Sequence, residues 1–452
     1  MRVAVIGAGV TGLVAARVLA RAGHEVAVYE RWPGLGGQAA TLDVGQGHRL
    51  ERYYHHWFTS DRHVLALCEE LGVDVEWHDS TMAVFVDGRS RAFTTPLDLL
   101  RFTPLSLRDR LRMGFAVLRL QRSSAPISAY EQETAREWII REMGAAPWEK
   151  VWGPLLRGKF GSRAGDISMA WMWGKLTTRR RLEGKAATGE QLGYPTASFE
   201  PLFTGLVADI ERHGGSVHID QPVRRIDRSP DGWQVSLGAA GSFRRGLSPA
   251  SFDASASASF DAVLATVPSD VFVELAGHEL SADYLALLDG TEYHTALCLL
   301  LETDRELSPF YWTNIADTSL PFVGLVEHTN LISSARYDGR RFLYVANYVE
   351  PGNPQLALDG EALLEAYLPG LQKVNAGFDR SWVKQLWRFA EPAGQPIVTV
   401  GYPSRIPPFE TGLPRLVLAN TTQIYPEDRG TNYAVREGQQ AAAALLDMLS
   451  AD

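Results

Sequence analysis

A Gly-x-Gly-x-x-Gly run at residues 7–12 places the strongest constraint on how this chain folds. An apolar, β-branched run from Val3 to Ile6 precedes the glycines, and apolar residues with helical spacing follow from Thr11 to Ala22. Glu25 to Glu30 has the pattern of a second buried strand. A strand, a helix and a strand within about thirty residues form a βαβ unit. The sequence therefore predicts a parallel sheet that includes these two strands.

The residue types in this unit suit a dinucleotide ligand. Gly7 allows a tight turn, Gly9 lets the backbone approach a pyrophosphate, and Gly12 lets the helix pack closely on the sheet. The first helical turn, with Val10 and Thr11, offers unpaired N–H groups and a partial positive charge to the phosphates. A glycine turn without a ligand is the alternative interpretation.

The residues after the second strand indicate which dinucleotide is bound. Glu30 ends the strand, where its carboxylate can accept hydrogen bonds from ribose hydroxyls, and Arg31 follows it. The doublet Gly36-Gly37 comes next, before Gln38. Here the chain resembles the FAD-dependent amine oxidase superfamily, which includes protoporphyrinogen oxidase, phytoene desaturase-like enzymes and, more distantly, UDP-galactopyranose mutase. The resemblance implies that these residues run along FAD rather than NAD.

The resemblance resumes at residues 425–438. In the family, a glycine in this segment starts the last helix, beneath the flavin. Such a helix start can place N–H donors near the pyrimidine edge of the flavin, where negative charge develops on reduction. An ordinary helix capped by Thr431 would have the same pattern without a ligand. The resemblance implies flavin contacts for Arg429, Gly430, Thr431, Asn432 and Val435.

The stretch from Phe199 to Asp227 resembles the part of the family in which the chain returns to the nucleotide domain. Val223 fits the position whose backbone touches the adenine. The family often has a glycine pair ahead of the helix in this stretch, whereas this chain has Tyr194-Pro195-Thr196-Ala197-Ser198. The substrate-side geometry of the family is therefore not carried over to this chain.

Cysteine usage and charge exclude several classes of protein. The two cysteines, Cys68 and Cys298, cannot form a disulfide framework. Both lie outside the 425–438 segment, so the cysteinyl flavin link of monoamine oxidases is not expected and FAD should be bound non-covalently. A net charge of −9 argues against nucleic-acid binding. With no apolar run of about 18 residues, we expect no transmembrane helix and a cytoplasmic protein.

The predicted fold is α/β, with a discontinuous Rossmann-like FAD-binding domain and an inserted α+β substrate domain. The FAD-binding domain is assigned to residues 1–90, 195–275 and 401–452. The substrate domain has a tryptophan-rich helical part at 91–194 and a mixed or antiparallel sheet at 276–400. Residues 238–260, rich in Ser, Ala and Gly, are predicted to be a loose surface insertion.

The first candidate catalytic segment, residues 47–58, is similar in outline to one that passes close to the flavin ring in UDP-galactopyranose mutase and its relatives. Tyr53, His55 and His56 could stack on the isoalloxazine or hydrogen-bond to substrate. The alternative is a half-buried strand and turn whose histidines are satisfied by the backbone. We expect no metal at His55 and His56, because neighbouring side chains on a strand point to opposite faces.

A second candidate is the polar end of an apolar run at residues 326–330. Glu327 and His328 could act there as general base and general acid. A polar turn after a strand would look the same.

A third feature is the basic amphipathic stretch from Leu105 to Arg122, which alternates arginines with leucines and Phe115. It could lie on a membrane surface and admit a lipidic substrate, whereas a solvated helix face is the alternative.

Together these features predict an FAD-dependent oxidase, dehydrogenase or desaturase that moves a hydride from a substrate C–H bond to flavin N5. Within the resemblance, the substrate would be a small molecule: an isoprenoid or porphyrin-like lipid, an amine, or a sugar derivative. One alternative is a redox-neutral enzyme, mutase- or isomerase-like, that uses reduced FAD on a sugar. Another is a non-catalytic flavin-binding protein.

Overall fold

The computed structural model describes residues 1–177, 190–240, 249 and 254–451. Within these residues the helices are α1 (Val10–Arg21), α2 (Arg62–Leu71), α3 (Pro96–Arg101), α4 (Leu107–Arg122), α5 (Ala135–Glu142), α6 (Ala145–Pro147), α7 (Gly153–Phe160), α8 (Met169–Thr177), α9 (Glu200–Arg212), α10 (Ser269–Ala276), α11 (Ala282–Asp289), α12 (Gly360–Val374) and α13 (Thr431–Ser450).

The strands are β1 (Arg2–Ile6), β2 (Glu25–Tyr29), β3 (Thr41–Asp43), β4 (Arg49–Glu51), β5 (Trp57–Phe58), β6 (Val75–Ser80), β7 (Met82–Val86), β8 (Arg89–Ala92), β9 (Glu190–Pro195), β10 (Ser216–His218), β11 (Val223–Ser229), β12 (Gly232–Gly238), β13 (Ala254–Phe260), β14 (Ala262–Ala265), β15 (Tyr293–Thr303), β16 (Trp312–Ile315), β17 (Gly324–Glu327), β18 (Arg341–Val349), β19 (Val383–Pro396) and β20 (Leu416–Leu418).

A five-stranded parallel sheet is built from three separate parts of the chain. Its strand order is β10-β2-β1-β14-β20. The inner strands are short and apolar because the sheet is covered on both faces, and β14 is buried along its whole length. The α/β fold with a discontinuous Rossmann-like domain is therefore confirmed.

Different elements cover the two faces of this sheet. On one face α1 packs against α13 and α9, and their apolar side chains share a core that includes Leu13, Leu206 and Leu445. On the other face α10, α11 and a three-stranded antiparallel sheet, β11-β12-β13, form a second core. The carboxyl end of β1 and the start of α1 are thus held in place from both sides.

Part of the predicted loose insertion is regular structure. The prediction for 238–260 is wrong at its end, because Ala254–Phe260 forms β13 and pairs antiparallel with β12. The alternating Ser and Ala residues give no apolar periodicity, but their backbone completes the three-stranded sheet and Phe260 is buried. Residues 241–248 and 250–253 of this segment lie outside the described residues.

A seven-stranded sheet forms the second layer, with strand order β19-β15-β18-β17-β16-β7-β8. The predicted antiparallel sheet within 290–400 is confirmed by the pairs β15–β18, β15–β19, β16–β17 and β17–β18. The pair β16–β7 is parallel, and β7 and β8 come from residues 82–92. The helix α12 buries Leu363, Leu364 and Tyr367 against one face.

Helices α3 to α8 form a third layer with its own apolar core. Trp138, Trp148 and Trp171 are buried in it, as expected for a tryptophan-rich helical region. Residues 178–189 of the predicted helical part lie outside the described residues. In the described part of the chain, no helix combines the length and apolarity needed to cross a bilayer.

Candidate functional site

A cavity lies where the parallel sheet, β19 of the seven-stranded sheet and the start of α13 meet. It contains about 1430 Å³ of empty space, open solvent at its mouth included. Its lining includes Pro222, Val223 and the glycine run, and also His55, Arg429 and Gly430. We call the part lined by Val223, the glycine run and Glu30 the nucleotide end, and the part lined by Arg429 and Gly430 the ring end.

The glycine loop is shaped by close backbone approaches. A Cβ atom on Gly12 would lie 2.0 Å from the carbonyl oxygen of Gly7, so only glycine lets α1 pack this closely on the loop. Gly36 has φ of 95° and its N–H donates to the carbonyl of Ala8 at 2.8 Å, which docks the second glycine segment on the first. Both segments therefore present bare backbone to the cavity.

The helix α1 begins on the cavity without a side-chain cap. Its N-cap is Gly9, whose backbone is extended, and no side chain accepts from the first-turn N–H groups. Gly9, Val10 and Thr11 all line the cavity. Uncapped N–H groups and the positive end of the helix dipole make this a position for an anionic group such as phosphate.

Glu30 lies beside this loop, with its carboxylate fixed by the backbone. One oxygen accepts from the N–H of Ala8 at 2.8 Å and the other from the N–H of Trp32 at 2.9 Å. Burial raises the pKa of Glu30, against the effect of these two hydrogen bonds. Each carboxylate oxygen retains a lone pair that can accept from a ribose hydroxyl in the cavity.

The helix α13 also begins on the cavity without a side-chain cap. Its N-cap is Gly430, and the Thr431 hydroxyl does not cap the helix but accepts from the indole N–H of Trp57 at 2.7 Å. Gly430, Thr431 and Ala434 line the ring end. The cavity therefore meets two uncapped helix N-termini, one at the glycine loop and one at the ring end.

Arg429 is held at the ring end by three neutral oxygen atoms. Its guanidinium donates to Gln38 Oε1, Gln395 Oε1 and the hydroxyl of Tyr348, each at 3.1 Å. Burial alone would lower the pKa of Arg429, but Tyr348 and Asp428 hold it above its ordinary value. The cavity thus receives a fixed positive charge beside the start of α13.

A charged cluster behind Arg429 was not predicted from the sequence. Asp428 accepts from Lys159 and from Lys175, the latter at 3.0 Å. Burial raises the pKa of Asp428, but the two ammonium groups outweigh it and hold the pKa below its usual range. The Lys159 ammonium also lies 5.3 Å from the Trp171 ring centroid. Only the position of Asp428 next to Arg429 could have indicated this cluster, because Lys159 and Lys175 lie more than 250 residues away.

Among the candidate catalytic residues, His55 lines the cavity. Its Nδ1 lies 2.7 Å from the carbonyl oxygen of Tyr53, and burial lowers its pKa to about 4. A carbonyl only accepts, so the neutral ring carries its proton on Nδ1 and leaves Nε2 as an acceptor. His55 is therefore placed to accept a hydrogen bond at the ring end.

The other four candidates have partners inside the protein and do not line the cavity. The hydroxyl of Tyr53 donates to the carbonyl of Ala296, and His56 Nδ1 lies 2.9 Å from the hydroxyl of Tyr311. The separate partners of His55 and His56 fit the expectation that they point apart.

Glu327 and His328 are both buried. The Glu327 carboxylate accepts from the N–H groups of Leu307 and Ser308, and burial raises its pKa to about 8. His328 Nε2 lies 2.7 Å from the hydroxyl of Tyr337, and burial lowers the pKa of this histidine to about 3. These contacts fix the end of β17. We therefore do not assign the predicted acid–base role to Glu327 or His328.

Most of the predicted cofactor-binding residues line the cavity: Gly7, Gly9, Val10, Thr11, Glu30, Arg31, Gly36, Gly37, Gln38, Val223, Arg429, Gly430 and Thr431. The remaining three support it from behind. Gly12 packs α1 on the loop, and Val435 is buried in the core. The side-chain oxygen of Asn432 accepts from the N–H groups of His63 and Val64, so it joins the start of α13 to the start of α2.

Comparison with known protein families gives one match across nearly the whole chain. The model of the family described as flavin containing amine oxidoreductase matches residues 10–446. A probable zeta-carotene desaturase of Synechococcus elongatus is 39% identical over 72 residues, which cover 16% of this chain and 15% of that protein. A putative flavin-containing monoamine oxidase, AofH, of Mycobacterium tuberculosis is 26% identical over 249 residues, covering 52% of this chain and 53% of that protein.

The chain thus spans about a seventh of the first of these two curated relatives and about half of the second. Among solved structures, a putative protoporphyrinogen oxidase from Exiguobacterium sp. 255-15 superposes with a TM-score of 0.75 and 20% identity, over 99% of both chains. At this level of identity the likeness shows the fold alone.

Proposed function

The chain belongs to the family of flavin containing amine oxidoreductases, whose cofactor is FAD, and on that premise we propose that it is an FAD-dependent oxidoreductase acting on a C–H bond of a small molecule. When bound, FAD would supply the hydride acceptor, its N5 atom. The relatives include proteins named as desaturases and as a monoamine oxidase, which supports an oxidation of this kind.

One observation carries the proposal: two uncapped helix N-termini line the same cavity. The start of α1 would hold the pyrophosphate of FAD, with Glu30 accepting from the ribose and the backbone of Val223 against the adenine. The start of α13 would donate to the electron-rich edge of the ring system. The donors at both ends of the cavity therefore fit FAD.

The side chains at the ring end have separate tasks. Arg429, fixed by Gln38, Gln395 and Tyr348, would stabilise negative charge on a reduced cofactor. Neutral His55 would accept a hydrogen bond through Nε2, and with a pKa of about 4 its ring carries only the Nδ1 proton at neutral pH. The role of His55 in this proposal is therefore to orient a donor rather than to act as a base.

We infer a lipidic substrate because relatives are named as zeta-carotene and phytoene desaturases. The helix α8 carries Trp171, whose ring faces the ammonium groups of Lys159 and Lys175, and a Cβ on Gly174 would lie 3.0 Å from the carbonyl oxygen of Pro426. The apolar core of α3 to α8 therefore continues up to the segment that bears Arg429. This core is packed, and none of the described residues of α3 to α8 lines the cavity, so the apolar part of the substrate is proposed from the names of the relatives.

The test is the absorption spectrum of the purified protein before and after acid precipitation. Flavin bands that move wholly to the supernatant would support non-covalent FAD, whereas bands that stay with the pellet would contradict it. Anaerobic addition of isoprenoid or porphyrin-like lipids should then bleach the flavin. Turnover of a sugar nucleotide, seen only after the flavin has been reduced, would favour the redox-neutral alternative. Bound FAD that no substrate class reduces would favour a non-catalytic protein.

A further inference from the structure

The surface of α3 and α4 carries most of the large apolar side chains that the described residues expose. Of ten such side chains, six lie between residues 97 and 118: Leu97, Leu100, Leu107, Leu111, Phe115 and Leu118. Phe115 is 70% exposed and Leu107 57%. So dense a cluster in one short stretch marks an interaction surface rather than the scattered apolar residues of an ordinary surface.

On α4 these side chains form one stripe. Leu107, Leu111, Phe115 and Leu118 have the spacing i, i+4, i+8 and i+11, so they project within about 80° of one another at about 100° per residue. The helix packs on the protein through a different face, made of Met113, Ala116 and Leu120. The exposed stripe is therefore not needed to hold α4 in place.

Basic residues accompany the stripe. Residues 96–122 contain six arginines and two aspartates, a net charge of +4 in a chain whose net charge is −9. Asp98 and Asp109 are engaged at the starts of α3 and α4. Arg101, Arg108 and Arg122 are exposed, and within the described part of the chain their side chains make no hydrogen bond or ion pair. The surface is thus apolar with unpaired positive charge beside it.

We propose that this α3–α4 surface docks on the face of an anionic lipid bilayer, with the stripe inserted among the headgroups and the arginines against lipid phosphates. A helix with an apolar stripe and flanking basic residues lies in the plane of such an interface. Pairing with a second copy of the chain through the same surface is disfavoured, because a twofold contact would set the two groups of arginines against each other.

The position of the surface relative to the cavity supports this assignment. The helix α8 packs against α4, and Gln121 donates to the carbonyl oxygen of Leu176 at 3.0 Å. The helix α8 also reaches the segment that carries Arg429, through the ion pair between Lys175 and Asp428. A docked protein would therefore hold the ring end of the cavity one helix away from the bilayer.

The experiment is flotation of the FAD-loaded full chain with vesicles of phosphatidylcholine, with and without one third phosphatidylglycerol. We expect binding to the anionic vesicles that weakens as salt is added. Leu111→Gln combined with Phe115→Gln should lower the partition coefficient by roughly tenfold. Arg108→Gln and Arg122→Gln should each lower it by about fivefold on the anionic vesicles.

The matched control is Ile219→Gln, because Ile219 and Leu111 are each 45% exposed and Ile219 lies outside the α3–α4 surface. It should bind vesicles like the wild type. Equal binding by wild type and the Leu111/Phe115 variant, or no binding to either vesicle, would overturn the proposal. So would a dimer in sedimentation equilibrium that the double variant abolishes, since the occupant would then be a second copy. Vesicle binding is read without substrate, so this test is independent of the proposed reaction.

Discussion

The two ends of the cavity are built in different ways. At the nucleotide end the ligand-facing groups are mainly backbone atoms, from the glycine loop and the start of α1, with Glu30 as the fixed charge. At the ring end they are side chains that come from distant parts of the chain, such as Gln38, His55 and Arg429. The backbone at the nucleotide end fixes the shape of the cavity, whereas the side chains at the ring end fix the charge that a ligand meets. Substitutions should therefore act on binding at the first end and on chemistry and pH response at the second.

The largest effect is expected from Gly12→Ala at the nucleotide end. Its Cβ would lie 2.0 Å from the carbonyl oxygen of Gly7, so α1 must move off the loop. We expect loss of FAD retention and destabilisation by more than about 3 kcal/mol, measured by flavin content and urea unfolding. Gly34→Ala is the control, because a Cβ added at Gly34 would meet no other atom within 4 Å. Normal flavin content in the Gly12 variant would show that close packing of α1 is not needed.

Glu30→Ala should weaken FAD binding by about 2 kcal/mol, or about thirtyfold in Kd. The substitution removes the proposed ribose acceptor and leaves the N–H groups of Ala8 and Trp32 without their partner. Fluorescence titration of the apoprotein with FAD measures the change. Glu25→Ala serves as the control at an exposed position on β2. An unchanged Kd would remove Glu30 from the binding site.

A pH-dependent effect is expected at Glu51, which lies behind the ring end. Its carboxylate accepts from the hydroxyl of Tyr194 and from the N–H of Phe199, next to His55, and burial raises its pKa to about 7. Because the pKa of Glu51 is higher in the folded protein than in the unfolded chain, protonation of this carboxyl favours the folded state. This contribution to the free energy of unfolding is complete below the unfolded-state pKa and is lost as the pH rises through about 7.

Glu51→Gln removes the buried charge but keeps an acceptor for Phe199. It should therefore be more stable than the wild type at pH 8.5 by about 1.5 kcal/mol and nearly equal to it at about pH 4.5. Urea unfolding at both pH values measures the difference. A variant that is equally affected at the two pH values would show that Glu51 stays ionised in the folded protein.

The smallest effect is expected from Arg429→Gln. Removing this positive charge should make the reduction potential of bound FAD more negative by about 20 mV, equivalent to about 1 kcal/mol for two electrons. FAD affinity should change little, in contrast to Glu30→Ala. Spectroelectrochemical titration measures the potential, with Arg336→Gln as a control, because Arg336 pairs with Glu76 and does not line the cavity. If Arg429→Gln weakened FAD binding and left the reduction potential unchanged, the ring end would act on binding, and the proposed difference between the two ends would be wrong.

The contrast between the ends also explains what the sequence could predict. The strand–glycine–helix unit and Glu30 lie within about thirty residues, and the observed β1, α1 and β2 match their predicted bounds within one or two residues. The start of α13 is likewise local, at Gly430 and Thr431. Such features depend on backbone geometry that short spacing specifies.

The ring end depends on contacts that spacing does not specify. Lys159, Lys175 and Asp428 meet only after the helical layer has packed against the segment that precedes α13, and no periodicity pairs them. A polar residue at the end of a strand can either face a cavity or bind a neighbouring loop, and the sequence pattern is the same in both cases. In this protein Glu327 binds the loop, because its carboxylate accepts from the N–H of Leu307. The sequence also did not predict that β7 joins the seven-stranded sheet by pairing parallel with β16, because this pairing depends on the tertiary structure.

The order of strands in the parallel sheet has a consequence for how the protein is made. The strand β20 begins 410 residues after β1 ends, and α13 follows it. At a synthesis rate of about 5–20 residues per second, the nascent β1–α1–β2 unit waits roughly 20 to 80 s for its last partners. During that time α1 exposes the apolar side that α13 later covers. The growing chain therefore has to be shielded from aggregation until the segment around α13 has left the ribosome, and only then can it take up its cofactor.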